Sequence, residues 1–218
     1  MQDTRATYAA RAGARDHAGT ATLLGQVMFL VAIALGFMVA GSYIGRDLSD
    51  GTAFMLFLVA FGMLIAQSFV EKLRVGTFAI VWLYAIALLI GIGIGPALAY
   101  FVENDPSAVT QAAGATALIT LGMGAGGFAL SKDLAAWMRP LSFVILGLVA
   151  VSFVMLLFAS GGNPIISAAI AIVSALLIAV DFNYLRNHGT ADDAVWIATG
   201  IFVSIVNIFL SLLNLFGE

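Results

Sequence analysis

Long apolar runs alternate with short polar connections along this chain, and the length of the runs sets the class of fold. Seven uninterrupted apolar stretches cover 22–45, 52–70, 75–100, 107–130, 141–160, 164–183 and 194–216. Each approaches or exceeds the ~20 residues a helix needs to cross an apolar layer of about 30 Å. Transmembrane strands would instead give segments of about ten residues with alternating polarity. The pattern predicts an all-α membrane protein, a seven-transmembrane-helix bundle over 22–218. It is preceded by a polar tail, 1–21, expected to be disordered and cytoplasmic. The connections 46–51, 71–74, 103–106, 131–140, 161–164 and 184–193 hold nearly all the charge outside that tail.

Composition narrows the class further. Of 218 residues, 62% are hydrophobic and 10% charged, against about 25% charged in soluble domains. A soluble body of this size cannot hide that much apolar surface. Soluble enzymes, nucleic-acid binders and secreted disulfide modules are therefore excluded, and the lipid bilayer is the first partner. The net charge of −3 is too small to suggest an electrostatic partner. With no Cys, there is no disulfide, iron–sulfur or thiolate zinc chemistry.

Orientation follows from the basic residues of the short loops. Arg5, Arg11 and Arg15 in the tail, Lys72 and Arg74, Lys132 and Arg139, and Arg186 fall on one side, leaving Arg46 alone on the other. This bias places the N-terminus in the cytoplasm and the C-terminus outside. The tail has no pattern of a cleavable signal. Tyr43, Tyr100, Trp137, Tyr184 and Trp196 lie near span ends, as an interfacial aromatic belt requires. No internal repeat supports an inverted-repeat transporter.

Small residues mark the packing faces. Gly41 with Gly45, Gly91 with Gly95, and Gly122 with Gly126 are pairs four apart, which let helix backbones approach closely. Gly91, Gly95 and Pro96 also allow a second reading, a hinge in the third span. Polar residues form two seams. Ser167, Ser174 and Asp181 recur every seven residues on the sixth span. Gly200, Ser204, Asn207, Ser211 and Asn214 form a stripe on the seventh. These seams are expected to face each other or a wet cavity. Hydrogen-bonded glue, worth about 0.6 kcal/mol per contact, and a water-lined path both remain open.

Asp181 is the one charged residue that falls inside a span rather than at a boundary, in a loop or in a tail. An ionised carboxylate in a bilayer is expensive unless it is paired, protonated or facing water. The seam turns Asp181 inward and makes it a candidate proton sensor, with Asn183 and Asn207 as expected hydrogen-bond donors. Placement at the interface near Arg186 is the plainer alternative. His17 and His188 read as solvated surface residues. Asp192 and Asp193, after Gly189 and Thr190, read as a helix N-cap. No HExxH, GxSxG or Walker A pattern appears. The chain is therefore expected to be no enzyme, with no cofactor and no metal site. The seventh span has no Lys, which excludes a retinal Schiff base.

These residues resemble the Bax inhibitor family in its bacterial inner-membrane branch. The likeness rests on Gly95-Pro96-Ala97-Leu98, Gly114-Ala115-Thr116-Ala117, Leu130-Ser131-Lys132-Asp133-Leu134 and the closing run from Ser204 to Gly217. It implies seven helices with a cytoplasmic N-terminus, and a proton-sensitive calcium leak gated by one acid on each of the last two spans. Asp181 matches the first acid, whereas Ser204 stands at the second. Gln67 and Ser68 stand in the second span, where some family leaks carry Arg. A serine cannot share a proton as a second carboxylate does. The Ser204-to-Asn207 version of the last span resembles instead the branch that modulates a membrane-anchored AAA protease, as inhibitor or slow substrate, with the tail as its handle. On the leak reading, Asp181, Ser174, Asn183, Ser204 and Asn207 form the pH-sensing ion path.

Overall fold

A computed structural model describes residues 2–158 and 163–217, with side chains over 19–155 and 163–217. Its helices are α1 (Gln2–Gly45), α2 (Asp50–Phe69), α3 (Gly76–Asn104), α4 (Pro106–Ala129), α5 (Ala135–Phe158), α6 (Pro164–Asn187) and α7 (Ala194–Phe216). Short 3-10 turns at Glu71–Leu73 and Ala191–Asp193 precede α3 and α7. Seven helices are long and apolar enough to cross a membrane, the first over Gly19–Gly45. No strand occurs among the described residues. Most side chains of the expected 1–21 tail lie outside the described set.

The helix starts are written in local chemistry. Ser49 accepts from the Thr52 N–H at the start of α2. Asp105 accepts from Ala108 ahead of α4, and Asn163 accepts from Ile165 and Ile166 ahead of α6. In both cases Pro occupies the first helical position, where no N–H partner is required. Asp193 accepts the N–H and hydroxyl of Thr190 in a capping box on the turn before α7, whereas the expected Asp192–Asp193 cap gives α7 no side-chain hydrogen bond of its own. Gly76 sits at φ +83°, where L side chains are rarely accommodated, and turns the chain into α3.

Several boundaries differ from the sequence expectation: α1 is helical from Gln2 rather than from 22, and α3 runs past 100 to Asn104. α5 begins at Ala135, before Pro140, because Asp133 accepts the Ala135 N–H and caps an additional turn. α6 runs to Asn187, one turn beyond 183, which places Asp181 deeper from the helix end.

α3 packs on α1 and α2, while α6 and α7 form an antiparallel pair that α4 flanks. α1 also meets α7, which joins the two halves. Their common core holds Val27, Leu83, Ile86, Ile178, Ile197 and Phe202. Outside it the molecule is apolar, with Phe29, Phe143 and Ile165 exposed, as lipid-facing surfaces are. α5 buries none of its apolar window and leans mainly on α6. Connections α2–α3, α4–α5 and α6–α7 meet at one end, called here the basic end; Arg46 lies at the other.

Gly41, Gly45, Gly91 and Gly95 bring α1 and α3 into backbone contact. A Cβ on Gly91 would strike the Met38 carbonyl, and one on Gly45 would strike that of Ile92. Pro96 supplies no N–H to Ile92, so that carbonyl is released from the helix and turns onto Gly45. α3 is one continuous helix through Pro96. These residues thus serve as a packing seat in the structure; Gly122 and Gly126 have nothing within reach.

Candidate functional site

The two polar seams do face each other. Near the basic end, Gly200 lies against the Asp181 carboxylate, where a Cβ would come 3.0 Å from Oδ2. Toward the opposite end, the Ser167 hydroxyl donates to Asn214 Oδ1 at 2.9 Å. Asp181 and Ser167 are fourteen residues apart, as are Gly200 and Asn214. One antiparallel register therefore holds over about 21 Å of helix. That register sets Ser174 level with Asn207, midway along the interface.

Asp181 is 7% exposed, Ser204 3% and Ser174 fully buried. Among the described residues no hydrogen bond reaches the Asp181 carboxylate. The Ser174 hydroxyl is also buried without a partner. The seam is thus glued at the Ser167–Asn214 end and carries polar groups without partners at its middle and at the Asp181 end. Unsatisfied buried polar groups are costly unless water reaches them.

The expected donors to Asp181 are engaged elsewhere or silent. Asn183, fully buried, turns to the other side of α6. Its Nδ2 donates to the carbonyls of Gly127, Leu130 and Lys132 at 3.1–3.2 Å, and its Oδ1 accepts the Leu134 N–H at 2.8 Å. It clamps the end of α4 to the α4–α5 linker: Gly127 is in the last turn of α4, Leu130, Lys132 and Leu134 follow it, and such groups lack helical partners. Asn207 makes no hydrogen bond among the described residues, and none joins Ser204 to Asp181. The interfacial alternative near Arg186 is also not what the structure gives: Arg186 donates to the Phe128 carbonyl.

Gln67, which the sequence marks only as standing where some family leaks carry Arg, is a tie between helices. It is 1% exposed, and its Nε2 donates to the Leu73 carbonyl and to Thr199 Oγ1, tying α2 to α7 beside Gly200. Its Oε1 is buried without a partner. A Gln within an otherwise apolar span was the available signal.

At the basic end, His188 Nε2 and Asp133 Oδ2 lie 2.8 Å apart. The Ala135 N–H, then the His188 ring, hold the Asp133 carboxyl below its ordinary range.

The fold and the seam define a seven-helix membrane protein with an unpaired acid inside its last helix pair. The model of the family described as "Inhibitor of apoptosis-promoting Bax1" matches residues 20–218, and the chain belongs to that Bax inhibitor family. An uncharacterized protein of Pseudomonas aeruginosa is 28% identical over 195 residues, covering 86% of this chain and 85% of its own. A protein of Vibrio cholerae described as an uncharacterized membrane protein is 27% identical over 205 residues, covering 91% and 90%.

Proposed function

We propose that this protein is a proton-responsive cation leak of a bacterial inner membrane, passing calcium, with its N-terminus in the cytoplasm. The observation that carries the reading is the buried Asp181 carboxylate, lying against Gly200 of α7 without a hydrogen-bond partner among the described residues. Gaining or losing a proton there changes the charge inside the bundle by one unit, and a buried charge is costly enough to bias how α6 and α7 sit together. Ser174, Ser204 and Asn207 continue polar positions along the same interface. A hydrated cation could exchange water for these oxygens one step at a time. Bacterial relatives and helical rather than barrel spans support the inner membrane. The excess of Lys and Arg at the basic end supports the orientation.

The test is calcium flux through purified protein in liposomes at about pH 6 and about pH 8. Wild-type flux should change between the two, and Asp181→Asn should lose that change. Flux equal to that of empty liposomes at both values would overturn the reading.

A second reading rests on the α7 side of the seam, where Gly200 and Ser204 stand and no second carboxylate faces Asp181. It makes the protein a modulator or slow substrate of a membrane-anchored AAA protease, held by the polar tail. Deleting residues 2–20 would then abolish both its turnover and its effect on other substrates. Protease activity indifferent to the protein would end this reading.

A further inference from the structure

A cavity of about 660 Å³ opens at the basic end, between the turn before α3, the start of α5, the end of α6 and the turn before α7. Its volume falls in the ~300–1,000 Å³ range of small-ligand sites. Glu71, Arg74, Arg139 and Asp192 line it together with the rings of Tyr184 and Trp196. Asp193 also borders it, but is already engaged by Thr190.

The charges around this cavity do not cancel one another. Among the described residues, the only ion pairs are Arg46 with Asp47 and Asp133 with His188. Glu71 and Arg74 share one turn, and with Asp192 and Arg139 they line the cavity without forming an ion pair. Arg74 is the most committed of the four: its Nε is buried with no hydrogen-bond partner, and its guanidinium lies 5.3 Å from the Trp196 ring centre. Two cations and two carboxylates held apart suit a ligand that itself carries both signs. A purely anionic ligand would meet the carboxylates, and a purely cationic one the arginines.

The depth of the cavity identifies the ligand further. Trp196 is in the first turn of α7, Tyr184 in the last turn of α6 and Arg139 in the second turn of α5. Helix ends and Trp or Tyr rings mark the headgroup layer of a bilayer. Arginine is the side chain suited to the planar face of a phosphate diester. A primary ammonium is received by carboxylates and by the faces of Tyr and Trp.

We propose that this cavity binds the headgroup of an ethanolamine phospholipid from the surrounding leaflet, its phosphodiester on Arg74 and Arg139 and its ammonium on Glu71 and Asp192. Phosphatidylglycerol binds less well, because its headgroup offers the carboxylates hydroxyls but no cation.

The test is native mass spectrometry of the full chain in detergent, with equimolar phosphatidylethanolamine and phosphatidylglycerol added. The expected result is retention of the ethanolamine lipid by at least about fivefold over the glycerol lipid, the size of preference that charge complementarity supplies. Arg74→Gln with Arg139→Gln should weaken retention of both lipids without changing their order, because both carry the phosphodiester. Glu71→Gln with Asp192→Asn should reverse it toward phosphatidylglycerol, which a merely misfolded variant would not do. Equal retention of the two lipids by the wild type, or an order unchanged in the second pair of substitutions, overturns the proposal. Soluble glycerophosphoethanolamine should displace the lipid only at large excess. Displacement at equal concentration would overturn the assignment to a membrane lipid.

Discussion

The Asp181 carboxylate rests on Gly200, the one position of the α7 stripe where no side chain can intervene. A residue with a longer side chain at 200 would have to displace either the carboxylate or the helix. Gly200→Val should therefore lower stability by about 1–3 kcal/mol, the usual cost of overpacking. Adding Asp181→Ala should recover part of it, giving a coupling energy between the two sites. Thermal unfolding in detergent of both single variants and the double variant measures this; strict additivity would show that the two do not touch.

Asn183 offers a contrast, because its partners are backbone groups with no other outlet. Asn183→Ala should cost at least about 2 kcal/mol, since it strands buried carbonyls and an N–H at once. Asn183→Asp should not rescue it, because a carboxylate keeps the acceptor for Leu134 but offers no donor to Gly127, Leu130 and Lys132. Hydrogen exchange over residues 130–136 should accelerate in both variants, with no comparable change at the opposite end of the bundle.

Ser167 and Asn214 should behave as ordinary membrane glue. The coupling between Ser167→Ala and Asn214→Ala should be near 0.6 kcal/mol, typical of hydrogen bonds between membrane helices. A much larger value in a double-mutant cycle of unfolding would mean the opposite end of the seam is the rigid one.

The linker at the basic end has a sign that can be worked out. Its Asp133 carboxyl is held below the ordinary value of 3.8 by the Ala135 N–H and by His188. A depressed folded-state value contributes above that ordinary value and is lost as pH falls through it. Exchange of the Ala135 amide should thus be protected at neutral pH and quicken in the acid range below 3.8, relative to a distant α7 amide. Asp133→Asn should weaken the protection and remove its pH dependence; an unchanged profile would dissociate the carboxylate from the cap.

Much of the fold was legible because membrane helices announce themselves by length. The register of the two seams was legible too, since Ser167, Ser174 and Asp181 repeat at a period that returns to one face. The roles of Asn183 and Gln67 were not. Their partners are backbone groups and a threonine on other helices, and no local spacing encodes a contact between residues 49–56 or 132 positions apart. Pro140 misled for a related reason. A proline near a helix start reads as a boundary, but the Asp133 cap lies ahead of it and extends the helix through it.

A final prediction concerns the glycines of α1 and α3. Gly91→Ala should cost more than about 2 kcal/mol, at the upper part of the overpacking range, because backbone cannot yield as a side-chain tip can. Gly36→Ala, which meets nothing, should be neutral within about 0.5 kcal/mol. Melting temperatures of the two variants in the same detergent provide the comparison.

The Ile92 carbonyl, released by Pro96 and lying on Gly45, has a consequence for kinship. Between these two helices there is no room for a single methyl group. A chain that carries side chains at these glycines while keeping the same seven spans must hold its first and third helices farther apart. The distance between two helices is thereby recorded in four letters of sequence, and a distant relative can be sorted into the narrow or the wide version before its structure is known.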